Sequence, residues 1–192
     1  IMLFTAGARG KHLFYLALAG VSAVGLAIFF EPYRMSRFLA FLDPWKDPSG
    51  TGYHIIQALY ALGSGGLFGL GLGQSHQKWF YLPEQHTDFI FAVLGEELGF
   101  FGGVLVILLF LVFVWRGFRI ALSMGDSFGS LLAVGLTSMI ALQAVINIGV
   151  VTGSLPITGI PLPLISFGGS SLVFTLIGVG MLLNISRYVT SR

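Results

Sequence analysis

The sequence contains no cysteine and few charged residues, and each absence excludes a class of protein. Without cysteine, neither a disulfide framework nor a thiolate metal site can form. The 192 residues include only ten Lys and Arg and eight Asp and Glu, so charged residues make up 9% of the chain. A soluble domain carries about 25%. So few basic side chains exclude a nucleic-acid partner, and the composition also excludes a disordered chain.

Apolar residues are correspondingly abundant. They make up 55% of the chain, and the mean hydropathy is +0.89. A soluble domain of this size cannot bury so much apolar surface, which indicates a membrane protein. A helix needs roughly 20 apolar residues to cross a bilayer. The sequence therefore predicts an all-α, polytopic membrane protein, with residues 1–192 forming a single transmembrane domain of four spans. These spans are residues 13–30, 89–115, 130–152 and 166–185.

The charged residues fall into two groups along the chain. One group flanks the spans and contains six cations and a single acid, Asp126. The positive-inside rule places this group in the cytoplasm. Every other charged residue lies between Glu31 and Glu97, so residues 31–88 are predicted to form a long extracytoplasmic loop. The six cytoplasmic cations are Arg9, Lys11, Arg116, Arg119, Arg187 and Arg192.

The outer loop is too long to be a simple connection and is only half polar. Residues 53–62 place Ile55, Ile56 and Leu59 on one helical face, which predicts a helix at the membrane interface. Residues 63–73 are interrupted by glycine, which is typical of a re-entrant turn packed against the spans. A fifth full span is the alternative, but it would break the charge arrangement.

Asp88 stands where the outer loop passes into the second span. Pro83 stops any earlier helix, so Thr87 or Asp88 could cap the start of the span and complement its dipole. The alternative is a carboxylate at the membrane surface, surrounded by apolar residues, that acts as a general base on a lipid-linked substrate. The local sequence leaves both roles open.

Glu96 and Glu97 lie further along the same span. Carboxylates near the membrane interior are costly and are usually paired or functional. Their side chains point about 100° apart on a helix, so we expect them to have different roles. We predict that they support the structure through pairs with Arg34, Arg37 or backbone donors of the loop.

Two further features could bind an anionic group. The outer cations could hold a phosphate, with lipid headgroups or loop carboxylates as their ordinary partners. Ser166 and Ser170 open the last span, where free N–H groups could meet an anion and small residues could equally allow tight helix packing. No His and Asp spacing is typical of a zinc site, so we predict no metal ligands. The outer cations are Arg34, Arg37, Lys46 and Lys78.

An ordered series of short motifs resembles the SEDS family of FtsW, RodA and SpoVE, and most closely its FtsW/SpoVE branch. Each motif alone is weak, but the series covers nearly the whole chain. Phe167 departs from the pattern, since the family commonly has Tyr at that position. The motifs are residues 31–34 (EPYR), 43–45 (DPW), 50–53 (GTGY), 71–73 (GLG), 82–91 (LPEQHTDFIF), 95–99 (GEELG), 161–171 (PLPLISFGGSS) and 184–187 (NISR).

The resemblance implies the C-terminal part of a family with ten spans. It implies a peptidoglycan glycosyltransferase that polymerises lipid II at the outer face of the bacterial cytoplasmic membrane. Its implied partners are a class B penicillin-binding protein, other division or elongation proteins, and membrane lipids. The family's essential loop carboxylate matches Asp88, which becomes the expected general base, and residues 31–88 become the loop that carries the active site.

The chemistry that the resemblance implies assigns expected roles to other residues. Lipid II holds its sugar through an α-linked diphosphate and the polymer is β-1,4-linked, so the acceptor hydroxyl must attack C1 with inversion. Such a transfer requires a base near the acceptor and positive charge near the diphosphate. Arg34 and Lys78 are the leading candidates for that charge, and a divalent cation (Mg²⁺ or Mn²⁺) would be a further source. The other expected substrate-binding residues are Glu84, His86, Ser166 and Ser170.

Two other functions are consistent with the sequence. A lipid II flippase would need a polar path through the spans, and Gln143 and Asn147, at helical i,i+4 spacing, are the polar pair that could line it. A non-enzymatic scaffold would recruit and activate the crosslinking enzyme. Replacement of Asp88 separates both from a polymerase, since only a polymerase depends on a base.

Overall fold

The computed structural model describes residues 1–75 and 86–189, and within these ranges every regular element is a helix. Four of the helices are long and apolar enough to cross a membrane. The predicted all-α membrane architecture is therefore confirmed. The α-helices are α1 (Met2–Thr5), α2 (Gly10–Phe30), α3 (Pro32–Leu42), α4 (Tyr53–Ser64), α5 (Ile90–Ser123), α6 (Ser127–Val151) and α7 (Gly169–Ser186), with a 3₁₀ turn at Pro44–Lys46.

The candidate spans are α2, α5, α6 and α7, close to the predicted positions. The expectation that Ser166 opens the last span is wrong, because α7 begins at Gly169. Residues 154–168 contain no helix. Prolines at 156, 161 and 163 disfavour helical backbone in the residues before them, which keeps this segment irregular up to the start of α7. We refer to residues 154–168 as the proline loop.

Helix α5 is interrupted at Gly99, whose backbone adopts φ 69° and ψ −167°. The glycine-rich stretch fits against this break. The amides of Leu70 and Gly71 donate to the carbonyls of residues 96 and 97, at 3.0 Å each. In return, the amide of Phe100 donates to the carbonyl of Gly66 at 2.9 Å. The stretch is therefore an irregular turn packed on a span, as predicted, and residues 65–75 form no fifth span.

The break explains how carboxylates are accommodated in α5. Glu96 and Glu97 lie on the shorter part of α5, before the break at Gly99 and beside the glycine-rich stretch. Irregular backbone inside a membrane protein is stable only where other protein groups satisfy its polar atoms, and residues 66–71 do this here.

We predict that Gly99→Ala destabilises the protein by about 1–3 kcal/mol through its backbone conformation alone. An added Cβ would also collide with the backbone of Leu67 and Gly69. Gly103→Ala is the matched control, because its Cβ would make an ordinary contact of 3.6 Å with Phe91. Thermal unfolding of the full-length protein in detergent compares the two variants. Equal melting temperatures would contradict the proposed need for glycine at the break.

The core that supports the predicted outer loop lies where α4 packs against α5 and α6. Ala58 and Ala61 of α4 are fully buried there against Ala92 of α5. Small side chains allow helices to approach closely. At the opposite end of α6, the Asp126 carboxylate accepts a hydrogen bond of 2.9 Å from the Gly129 amide and caps the helix. This cap accounts for the one acid among the predicted cytoplasmic cations.

Candidate active site

A cavity of about 370 Å³ opens between α3, the turn before α4, the start of α5 and the proline loop. It is the place where residues far apart in sequence meet. Both signs of charge line it, as do aromatic and small residues. The lining residues include Tyr33, Arg37, Asp47, Thr51, His54, Asp88, Phe89 and Gly159.

Asp88 lines this cavity and is half-buried. Of the two roles that the sequence left open for this position, the structure does not show the cap, because Phe89 occupies the cap position of α5 and its side chain makes no capping bond. Asp88 lies one residue outside that position. Across the cavity, a Cβ built on Gly159 would lie 3.4 Å from Asp88 Oδ2, so the proline loop runs directly past the carboxylate.

The backbone around Asp88 is held by groups from other parts of the chain. The carbonyl of residue 86 accepts from the Phe167 amide at 2.8 Å. The carbonyl of residue 87 accepts from Ser166 Oγ at 2.6 Å. The carbonyl of Asp88 itself accepts from Asn147 Nδ2 at 2.7 Å. Three consecutive carbonyls are thus fixed by the proline loop and by α6.

Arg37 supplies positive charge to the cavity, and its guanidinium lies 4.6 Å from the centre of the Tyr33 ring. Arg34, the residue favoured by the sequence, is exposed and does not line the cavity. Both lie on α3, and the two positions are neighbours on a helix surface. Among the described residues, the cation that lines the cavity is therefore Arg37, which lies on the same helix as Arg34. Stacking on Tyr33 holds the Arg37 side chain along the cavity wall.

Asp47 and His54 also line the cavity, although the sequence suggested no role for either. Asp47 Oδ2 accepts from the amide of Thr51 at 2.9 Å and from its hydroxyl at 3.2 Å, which closes a tight turn. The His54 ring stacks on Phe89, with ring centroids 5.9 Å apart. The motif over residues 50–53 was the available signal, because a Cβ on Gly52 would collide with the carbonyl of Pro44. Such close backbone packing permits only glycine.

The other expected substrate-binding residues are distributed differently. Lys78 and Glu84 lie outside the described residues. His86 is exposed on the turn before α5, and Ser170 is exposed in the first turn of α7. Ser166 is buried, and besides donating to residue 87 its hydroxyl accepts from the Leu162 amide at 2.7 Å. Ser166 therefore joins two segments of backbone at the site.

Glu96 is 1% exposed and lies outside the cavity wall. Its carboxylate accepts hydrogen bonds from Ser75 and, at 3.3 Å, from Ser64. These hydroxyls differ from the arginine and backbone partners predicted from the sequence. Glu97 is half-buried beside the same break, and its carbonyl accepts from Gly71. Both residues thus belong to the packing of the glycine-rich stretch on α5.

Within the described part of the chain, the Asp, Glu and His side chains that could bind a metal are scattered. Among the described residues, no group of three His, Asp or Glu side chains converges as metal ligands would. Asp47 and Asp88 line one cavity, but Asp47 is engaged with Thr51.

Comparison with known proteins gives relatives of high similarity. The chain is 60% identical over 188 residues to stage V sporulation protein E of Bacillus subtilis (strain 168), covering 98% of this chain and 51% of the relative. It is 50% identical over 186 residues to the probable peptidoglycan glycosyltransferase FtsW of Geobacter sp. (strain M18), and this match covers 97% of this chain and 51% of the relative. The chain thus spans about half the length of the curated relatives it matches.

Solved structures share the architecture. A chain of a peptidoglycan synthase complex that coordinates polymerization and crosslinking superposes with a TM-score of 0.74 at 32% identity, covering 100% of this chain and 53% of that one. A mutant of the rod shape determining protein RodA from Thermus thermophilus superposes with a TM-score of 0.53 at 38% identity. This match covers 70% of this chain and 41% of the RodA chain. Residues 1–191 match the FtsW/RodA/SpoVE family, described as "Cell cycle protein". The protein therefore belongs to the FtsW/RodA/SpoVE family.

Proposed function

We propose that this chain carries the catalytic carboxylate of a peptidoglycan glycosyltransferase that polymerises lipid II. The single observation that carries the proposal is the cavity that brings Asp88 together with Arg37. A relative 50% identical over nearly the whole chain is named a probable peptidoglycan glycosyltransferase, which supports the same reaction.

The proposed reaction joins two lipid-linked sugars with inversion at C1. Asp88 accepts the proton of the acceptor 4-hydroxyl while that oxygen forms a bond to C1 of the donor. The bond between C1 and the diphosphate oxygen breaks, and its electron pair leaves with the lipid diphosphate. Arg37 stabilises the negative charge that grows on this leaving group, because a guanidinium holds phosphate oxygens through two parallel hydrogen bonds.

The site is proposed to face the outside of the cytoplasmic membrane. The cavity lies at the end of α5 opposite Arg116 and Arg119, which the positive-inside rule assigns to the cytoplasm. Both substrates are anchored in the bilayer, so a cavity beside the start of a span is where their headgroups would meet. A class B penicillin-binding protein is the proposed partner, supported by the match to a chain of a peptidoglycan synthase complex. Membrane lipids and other division or elongation proteins are further proposed partners.

The flippase alternative gains no support from the polar residues of α6. Both amide hydrogens of Asn147 are used by carbonyls of the site, one of Asp88 and one of Ile160. Asn147 is 1% exposed. Its polarity has a local explanation, which leaves Gln143 as a single polar residue rather than one of a pair.

The experiment that tests the proposal uses the full-length protein with its penicillin-binding partner and purified lipid II. A β-lactam blocks crosslinking, so any glycan strands report polymerisation alone. We expect long strands from the complex. Transfer of lipid II across liposomes without polymer would favour a flippase. A complex that forms normally and makes no polymer would favour a scaffold.

A further inference from the structure

We propose that Asn147 and Ser166 are positioning residues that orient the Asp88 carboxylate for catalysis. The inference rests on the proposed function, because it assumes that Asp88 is the base. Neither side chain lines the cavity. Both act on the backbone that carries Asp88.

The segment that carries Asp88 lies before α5, whose start includes a hydrogen bond from the amide of Ala92 to the carbonyl of Phe89. The carbonyls of residues 86–88 accept hydrogen bonds from distant parts of the chain. Their donors are a loop amide, the Ser166 hydroxyl and the Asn147 amide, at 2.6–2.8 Å. These three bonds fix the backbone that carries Asp88 relative to the proline loop and α6.

Asn147 joins the two sides of the site. Its Nδ2 donates to the carbonyl of Asp88 at 2.7 Å and to the carbonyl of Ile160 at 2.8 Å. Two carbonyl partners define which end of the amide is nitrogen, since carbonyls only accept. Ile160 follows Gly159, which faces Asp88 Oδ2. The side-chain amide of Asn147 therefore positions both the backbone that carries the Asp88 carboxylate and the loop beside that carboxylate.

The other end of Asn147 indicates that stability alone does not explain the residue. Its Oδ1 is buried, and no described residue donates to it. A buried acceptor without a partner destabilises a fold, whereas an apolar side chain of the same shape would leave no such atom. The two donated hydrogen bonds are what an apolar residue could not supply.

Ser166 makes a second link of the same kind. Its hydroxyl accepts from the Leu162 amide and donates to the carbonyl of Thr87, which joins the proline loop to the turn before α5. Phe167, the next residue, donates its amide to the carbonyl of His86. Loss of the Ser166 hydroxyl would release the carbonyl next to Asp88 while leaving every side chain of the cavity in place.

Displacement of a base by about 1 Å can lower a rate 10²-fold without weakening substrate binding. The test is therefore a separation of kcat from KM in lipid II polymerisation by the full-length protein with its partner. For Asn147→Leu and for Ser166→Ala we expect kcat to fall at least about tenfold and KM to stay within about twofold. Gln143→Leu, one turn earlier on α6, and Ser154→Ala, at the start of the proline loop, are the matched controls.

Each outcome decides the inference. Unchanged kcat in both variants overturns it, and so does a rise in KM at constant kcat, which would make the loop a binding element. A fall in kcat that is equal in the Gln143→Leu control also overturns it, since that would report general destabilisation. Should Asn147→Leu fail to fold, Ser166→Ala decides, because it removes one atom. Wild type and Asp88→Asn are assayed in the same experiment. If wild type makes no polymer, or if Asp88→Asn is fully active, the proposed function is overturned rather than the positioning role.

Discussion

Asp88→Asn should lower lipid II polymerisation by about 10²–10⁴-fold, the range that general acid–base catalysis contributes. Asparagine keeps the size of the side chain and leaves the backbone carbonyl to accept from Asn147. It cannot accept a proton at neutral pH. The measurement is the initial rate of glycan-strand formation by the full-length protein with its partner. The melting temperature and the yield of the complex should match those of wild type.

Two other carboxylates make this test specific. Asp47→Asn changes the second acid of the cavity, and we expect a far smaller effect because Asp47 closes a turn with Thr51. Asp43→Asn changes an exposed acid outside the cavity wall and should leave the rate unchanged. A loss of activity in Asp47→Asn with full activity in Asp88→Asn would move the base to Asp47.

The membrane architecture could be predicted because it follows from composition and charge. A span needs only length and apolarity, and Arg116 or Arg187 marks an end by its charge alone. The helix at Tyr53–Ser64 follows from periodicity in the same way. These are one-dimensional signals, so a linear sequence contains them in full.

The break at Gly99 could not be predicted because its cause is tertiary. Residues 89–115 are apolar throughout apart from two glutamates, and nothing local distinguishes Gly99 from Gly103. What distinguishes them is the glycine-rich stretch, whose amides satisfy carbonyls on one side of Gly99 and whose carbonyls satisfy amides on the other. Backbone hydrogen bonds between segments about 30 residues apart produce no periodic pattern in the sequence of either segment.

The sequence drew attention to Asp88, which lines the cavity, but to few of the residues around it. A carboxylate at the start of a span is unusual enough to be noticed, whereas Asn147 looks like any polar residue of a transmembrane helix. Its partner carbonyls belong to Asp88 and Ile160. Backbone carbonyls occur at every position, so no residue type marks them as partners. The cap at Phe89 was missed for a related reason, because packing against His54 places an apolar residue where local rules favour Thr or Asp.

Arg37→Ala should lower kcat/KM for polymerisation by about 10²-fold, comparable to removal of one donor from a preorganised anion-stabilising site. The reason is that Arg37 lines the cavity with Asp88 and is the described cation placed to meet the leaving diphosphate. Arg37→Lys keeps the charge but loses the fork of two donors and the planar stacking on Tyr33, so an intermediate rate is expected. Initial rates at several lipid II concentrations provide the measurement.

Arg34→Ala is the matched control, since it removes the same side chain from the same helix, three residues away, outside the cavity wall. Positions three apart face similar directions on a helix, so any effect through membrane lipids or net charge should be shared by both variants. Only contact with the diphosphate distinguishes the two variants. We expect Arg34→Ala to change the rate by less than about threefold, because the loss of one exposed ion pair changes a free energy by no more than that factor represents. If Arg34→Ala is the more damaging change, the positive charge of the site comes from the position that the sequence favoured, and α3 must turn toward the substrate when lipid II binds.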